Sequence, residues 1–432
     1  MEQVLGPYDG FRTVGRLHSA NGLLTARMPV SIGALCNIDL GDERSRTAEV
    51  VGFDRDMAQI LPFENTGGLS AQATVTTNNR RFRIPVGPAL MGRVINGLGE
   101  PVDGKGPIRT NTYVDLATAT PAAMSRERIR EPFVVGQRVL DGCLTIGKGQ
   151  RIGLFAGSGV GKSTLLGEIA KGAESDINVV ALVGERGREV RPFLDDCLGK
   201  EGLAKSVTVV STADETPLMR IRAAQLAISV ANYHREQGQN ALLLLDSMTR
   251  VATAQREIGL LLGEPPSSRG FTPSVFTMLS RLLEQLGASD KGTITGIVTV
   301  LVDGDDMDEP IADCVRGIVD GHIVLDRSLA ERAHFPSINV ARSVSRVFND
   351  IVSPEHLRAV QTLRQLLKTY DEVAELIQIG AYKAGTTPDV DRAVALMPAV
   401  NATLQQTPGE FTSFEDTVTA LIHIANSWKP AE

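Results

Sequence analysis

The pattern of hydrophobic and polar positions changes character twice along the chain. Over the first eighty-odd residues the two alternate in short runs: Thr13–Leu17, Gly22–Arg27, Leu35–Leu40, Ala48–Phe53, Met57–Pro62 and Ala73–Thr76. The runs are broken by pairs such as Asn21-Gly22 and Gly67-Gly68, which suit tight hairpins. Short strands at this spacing, with no helical period, predict a small closed β-barrel. From about Val134 a second pattern begins. Apolar runs of buried-strand length at Asn178–Val183, Val207–Ser211, Ala241–Leu245, Thr295–Val302 and His322–Leu325 are separated by helical stretches. One of these, Leu218–Gln237, has Thr216 to cap it, Pro217 in its first turn and Gly238 to stop it. Alternation of this kind predicts a mainly parallel sheet covered on both faces, with ligands at the carboxyl ends of its strands. After Ser353-Pro354 the strand pattern ends. His356–Leu376, Asp389–Leu396 and Phe414–Ala425 then read as amphipathic helices. The expected organisation is an N-terminal β-barrel (1–86), a central α/β nucleotide-binding domain (87–350) and a C-terminal helical domain (351–432).

Composition narrows the classes. The chain has 432 residues, 42% of them hydrophobic, enough to bury a large core over two or three domains. A net charge of −7 gives no general basic footprint for nucleic acid. No apolar run is long enough to span a bilayer, and the N-terminus carries no charged-then-apolar signal segment. The four cysteines, Cys36, Cys143, Cys197 and Cys314, form no CxxC pair and read as buried thiols of a reducing compartment. A cytoplasmic protein is the expectation.

The chemistry centres on Arg151–Thr164, RIGLFAGSGVGKST. The apolar run Ile152–Phe155 is a buried strand, and Lys162-Ser163 open the helix that continues through Leu165, Leu166 and Ile169. Between them Gly157, Ser158, Gly159, Val160 and Gly161 make a turn whose backbone N–H groups can point inward around a phosphate. The helix N-terminus adds partial positive charge, Lys162 reaches the terminal phosphates, and the Ser163 hydroxyl is placed for a magnesium ion. With Thr164 completing the segment, this is a candidate nucleotide site, although Ala156 stands where the strict phosphate-loop pattern has its first glycine.

Two carboxylates follow strands of the same sheet. Asp246 ends the run Ala241–Leu245 and can hold magnesium through a water opposite Ser163. Glu185 follows Val179–Gly184. It is either a group that orients and deprotonates the attacking water or part of a charged surface loop that runs to Arg191. Spacing alone does not choose between them, nor does it assign a role to Arg346, since most arginines are solvated.

The chain resembles the catalytic ATPases of flagellar and injectisome type III secretion, relatives of the α and β subunits of rotary ATP synthases. The resemblance spans nearly the whole length. It is carried by GRVINGLGEPVDGKGP (Gly92–Pro107), FAGSGVGKST, VGERGREV (Val183–Val190), LLLLDSMTR (Leu242–Arg250) and GEPPSSRGFTPSVFTMLSRLLEQLG (Gly263–Gly287). DEPIADCVRGIVDGHIVLDR (Asp308–Arg327) and HFPSINVARSVSR continue it. Ala156 fits too, because this group resembles AGSGVGKS. GERGREV and IGAYKAGTTPDVDRAV (Ile379–Val394) look like secretion ATPases rather than a synthase catalytic subunit.

The resemblance implies a RecA-like P-loop NTPase core and ATP hydrolysis that energises protein export. Lys162 becomes the β/γ-phosphate ligand, Ser163 and Asp246 the magnesium side, Glu185 the water-activating carboxylate and Arg186 a phosphate-side arginine. Phe335 stands where relatives place an aromatic ring against adenine. Arg346 matches a finger arginine supplied in trans to the neighbour's site within a homohexamer. The implied partners are stator, stalk and export-gate proteins, export substrates and their chaperones, with no nucleic acid, and attachment to the inner-membrane apparatus only through partners. Relatives carry an N-terminal extension that docks the stator. Only about ten residues precede the first strand here, so docking at that place is not expected. A rotary synthase catalytic subunit is the alternative, but it would need a second chain to complete each site, whereas this chain carries both Glu185 and Arg346. A non-catalytic subunit would lack the carboxylate, and a hexameric RNA translocase fits neither the acidic balance nor the GRVINGLGEPVDG block.

Overall fold

The alternating N-terminal runs close on themselves. In this computed structural model, which describes residues 12–428 apart from 42–43, 66, 71, 117–119, 303, 305 and 386, six strands form a barrel. They are β1 (Thr13–Asn21), β2 (Leu23–Ala26), β3 (Leu35–Gly41), β4 (Arg44–Asp54), β5 (Met57–Pro62) and β6 (Thr74–Thr77), in the order β1-β2-β5-β4-β3-β6. Inward positions such as Leu24, Ile38, Val50, Ile60 and Val75 are wholly buried, which is what the period of two requires. Residues 1–11, on which the stator expectation fell, lie outside the described residues.

A short ribbon of β7 (Arg83–Pro85) and β9 (Tyr113–Asp115) flanks β8 (Val94–Ile95). The central sheet adds β10 (Arg151–Ala156), β11 (Ile177–Glu185), β12 (Ser206–Thr212), β13 (Asn240–Asp246), β14 (Gly287–Ala288), β15 (Thr293–Leu301), β16 (Gly321–Val324) and β17 (Val344–Ser345). Its order is β17-β16-β10-β15-β13-β11-β12-β8, with β14 paired to β15. All pairings from β16 to β8 along that path are parallel, and only β14 and β17 run antiparallel to their neighbours. The apolar strands are buried on both faces. Val179, Ala181 and Val183 with Leu243 and Leu245 pack beneath the helix Pro217–Glu236, while Val180, Leu182, Leu242 and Leu244 face the helix Lys162–Gly172.

The GRVINGLGEPVDG block, which has no strand-like pattern of its own, supplies the sheet edge at β8. Arg93 grips Asp103 with two parallel bonds, Nε–Oδ2 2.7 Å and Nη2–Oδ1 3.0 Å, and holds that carboxyl below the usual carboxylate range. The Asn96 side chain accepts from the N–H groups of Leu98 and Glu100, both at 2.9 Å. Gly97 lies so close to the helix Pro217–Glu236 that a Cβ would stand 2.8 Å from the Met219 carbonyl oxygen.

The C-terminal helices are Pro354–Asp371, Ala374–Gln378, Pro388–Leu404 and Phe414–Ser427. They share one core with the sheet: Leu363, Leu366, Val400, Leu404, Leu421 and Trp428 belong to the cluster that holds Leu165 and Ile169. Two details depart from the sequence pattern. The stretch expected as one helix from His356 to Leu376 breaks at Glu372–Val373. The helix expected to end at Leu396 runs eight residues further, through Pro398.

Candidate active site

The strand β10 ends at Ala156, and the chain then turns through Gly157–Gly161 before Lys162 starts a helix. Gly159 and Gly161 have φ of 79° and 86°, a left-handed conformation that side chains seldom adopt, which explains the glycines of the motif. The loop's exit is tied down by Ser337, whose Oγ donates to the Val160 carbonyl at 2.6 Å. Ser163 and Thr164 are exposed at the helix start, where the N–H groups of a first turn have no helical carbonyl to bond.

Neighbouring strands bring two carboxylates to the same place. Lys162 Nζ donates to Asp246 Oδ1 at 2.5 Å and lies 3.7 Å from Glu185 Oε1. Asp246, at the end of β13, is almost wholly buried and also accepts from Thr299 Oγ1 at 2.6 Å. Glu185 ends β11, and its carboxyl is pushed up from the ordinary glutamate range. Partial burial is the main cause and the nearby Asp246 charge adds to it, while Lys162 pulls the other way. A polyphosphate at the loop would compete with these two carboxylates for the single ammonium. The remaining donors are hydroxyl and carboxylate oxygens, the hard set that suits magnesium, which keeps several waters and needs few protein ligands. The residues present fit that ion.

Phe335 follows the short helix Arg327–Glu331 and is 41% exposed. Its ring flanks the loop: a Cβ on Gly161 would sit 3.3 Å from the ring edge. The Phe335 carbonyl accepts from the Gln406 backbone N–H at 2.8 Å, so the C-terminal helical region touches the site. Gln406 also donates from Nε2 to the Gly136 carbonyl at 2.8 Å and accepts from the Arg138 N–H at 2.8 Å.

The other two candidates are not brought in. Arg186 is exposed and pairs with Glu189 at 3.3 Å. Arg346 follows β17, where Ser345 is level with Gly321 at the start of β16, and its N–H donates to the Asp320 carbonyl at 3.0 Å. Asp320 in turn bonds the first residue of β10, whereas the phosphate loop leaves the last. At 3.3 Å per residue the arginine stands about 20 Å down the sheet from its own loop. It is exposed, and Nη2 donates to the Arg316 carbonyl at 3.1 Å.

Thr299, Ser337 and Gln406 were not picked out from the sequence. Thr299 left a trace, a hydroxyl inside the apolar run Thr295–Val302 where an unpartnered polar group would be costly. Ser337 and Gln406 left none, since their partners are far away in the chain.

Residues 136–345 match the ATP synthase alpha/beta family, nucleotide-binding domain, and residues 23–78 that family's beta-barrel domain. Residues 352–423 match the T3SS EscN ATPase C-terminal domain. The flagellum-specific ATP synthase of Bacillus subtilis is 48% identical over 423 residues, 97% of each chain. The type 3 secretion system ATPase of Xanthomonas euvesicatoria is 45% identical over 405 residues, 94% of this chain and 92% of its own. Among solved structures, the assembled ATPase EscN of the enteropathogenic E. coli type III secretion system aligns with a TM-score of 0.90 at 44% identity. The match covers 95% of this chain and 100% of that one. EscN in complex with its central stalk EscO aligns with a TM-score of 0.88 at 43% identity.

Proposed function

We propose a mechanism from one premise: the chain belongs to the flagellar and type III secretion ATPases, within the ATP synthase alpha/beta family. It is an ATPase that energises protein export through such an apparatus. The observation that carries the site assignment is the meeting of Lys162, Asp246 and Glu185 at the head of the glycine loop.

In the proposed mechanism the loop N–H groups from Gly157 to Thr164 cradle the β-phosphate, and Lys162 leaves Asp246 to pair with the β- and γ-phosphates. Ser163 and, through water, Asp246 would hold a magnesium ion. That ion neutralises phosphate charge when bound. Thr299 keeps Asp246 oriented toward it. Glu185 takes the proton of the attacking water, and its raised pKa makes it a better base than a surface glutamate. Arg186 reaches the phosphate side once Glu189 releases it. Arg346, too far from its own loop, completes the site of the next copy in a homohexameric ring, so the active unit is an interface. The same reading places the ring at the cytoplasmic face of an inner-membrane export apparatus, where stalk, stator and export-gate proteins, substrates and chaperones meet it. No helix among the described residues is long and apolar enough to cross a membrane.

Lys162→Ala tests the loop assignment. A charged hydrogen bond is worth about 1.5–3 kcal/mol, so ATP–magnesium affinity should fall by roughly 10- to 100-fold, read by equilibrium binding. Affinity and turnover at the unsubstituted level would remove the loop from the mechanism. Phe335→Ala tests the adenine side separately. Stacking of a base on an aromatic ring is worth about 1–3 kcal/mol, so KM for ATP should rise at least several-fold with kcat little changed. An unchanged KM would make the ring packing only.

A further inference from the structure

The arginine that leaves its own site is mounted on a network that begins at the foot of the phosphate-loop strand. Arg151, the first residue of β10, donates to Asp320 from Nε (2.9 Å to Oδ2) and Nη2 (2.9 Å to Oδ1), and its backbone N–H donates to Oδ2 at 3.1 Å. Its remaining arm, Nη1, donates to Glu284 at 2.7 Å, and Glu284 is held in turn by Arg126 at 2.8 Å. The guanidinium is mostly buried and its pKa is pushed up, chiefly by the Asp320 bonds. On the backbone, Asp320 N–H donates to the Arg151 carbonyl at 2.8 Å, and the Asp320 carbonyl accepts from Arg346 N–H at 3.0 Å. Gln150 adds a second tie, from Nε2 to the same carbonyl at 2.9 Å and to Ser345 Oγ at 3.1 Å.

Such a fork is more than strand packing requires. The catalytic assignments leave Arg151 without a task, yet it fixes Asp320 in both side chain and backbone. Asp320 fixes the main chain of Arg346 with no flexible segment between. We propose that Arg151 is a positioning residue for the arginine each subunit lends to its neighbour, acting through Asp320. The proposal rests on the trans assignment of Arg346. One rigid strand then carries the phosphate loop of one site at its tip and aims the arginine of the adjacent site from its foot.

Mixed rings separate this from a structural role. Arg346→Ala subunits donate a good loop, and Lys162→Ala subunits donate a good arginine; their mixture is the reference. Arg151→Lys keeps the charge but loses the planar fork that holds both Asp320 oxygens and Glu284. Placed in the arginine donor, it should lower mixed-ring turnover about tenfold or more, since a 1 Å misplacement can cost ~10²-fold. Placed in the loop donor, whose position 346 is already alanine, it should cost far less. In an otherwise unsubstituted ring it should lower kcat and leave KM nearly unchanged. Equal losses in both placements, or a loss confined to the loop donor, would overturn the proposal while the trans assignment stands. A reference mixture that co-assembles but stays inactive would remove the trans assignment and the proposal with it. Should Arg151→Lys fail to assemble, Asp320→Asn in the same two placements decides by the same asymmetry, because it keeps the carbonyl to Arg346 and loses the charge that anchors it.

Discussion

Glu185→Gln should bind ATP with magnesium as tightly as the unsubstituted chain and turn it over about 10²–10⁴-fold more slowly. That is the range a positioned general base contributes. The amide keeps the volume and one acceptor oxygen of the carboxylate, so the loop, Lys162 and Asp246 should stay in place. What is lost is the capacity to take a proton. The geometry bears on the size of the effect. Glu185 lies 3.7 Å from the lysine that would contact the transferred phosphate, and burial raises its pKa toward the working pH. Removing its charge also relieves repulsion with Asp246 and with the incoming phosphates, so affinity should be kept or improved. Binding and single-turnover measurements on the same preparation separate the two steps. Turnover within a few-fold of the unsubstituted level would return Glu185 to the charged surface loop that sequence spacing alone allowed.

How far the chain could be read without coordinates depended on the distance over which each feature is determined. The barrel strands announce themselves through a period of two and the turns between them, which are local properties. The phosphate loop is equally local, since strand, glycines and helix start lie within fourteen residues and each has its own physical reason. Asp246 stood out because a carboxylate ending an apolar strand is conspicuous. The helix through Pro398 was cut short by a local rule that tertiary packing overrides. An interior proline costs about 3 kcal/mol. Val390 and Ala393 before it and Val400 and Leu404 beyond it are buried, and full burial of a Val or Leu returns about 1.5–3 kcal/mol each. The opposite happened after Leu366. The apolar period continues on paper, but Leu376 and Ile379 are exposed, so little holds a single helix past Asp371.

The site's supports were the least legible part. Thr299 reaches Asp246 across 53 positions, Ser337 reaches Val160 across 177, and Arg151 reaches Asp320 across 169. No pattern in one sequence links such pairs. Arg346 is the extreme case. Its chemistry is invisible in composition, and its place in the fold points away from its own loop. Only the family resemblance marked it, and the sheet register sets it at the foot of β10, away from the loop at that strand's other end.

Arg346→Ala should leave ATP binding largely intact and lower turnover by about 10³–10⁵, the worth of an arginine that neutralises charge developing in phosphoryl transfer. Binding survives because the loop, Lys162 and Asp246 belong to the same chain and lie about 20 Å from the substituted position. A site built from two copies has a further consequence: specific activity of the unsubstituted protein should rise with concentration as rings form. Mixing gives the decisive result. Arg346→Ala subunits lack an arginine to lend, and Lys162→Ala subunits lack a loop that binds well, so each alone should be nearly inactive. In a mixed ring some interfaces set the intact loop of one against the intact arginine of the other, and partial activity should return, passing through a maximum as the ratio varies. An arginine that acted within its own chain could not be rescued this way, because no subunit in the mixture carries both groups. Confirmed co-assembly with no recovery at any ratio would remove the trans assignment and require each subunit to complete its own site.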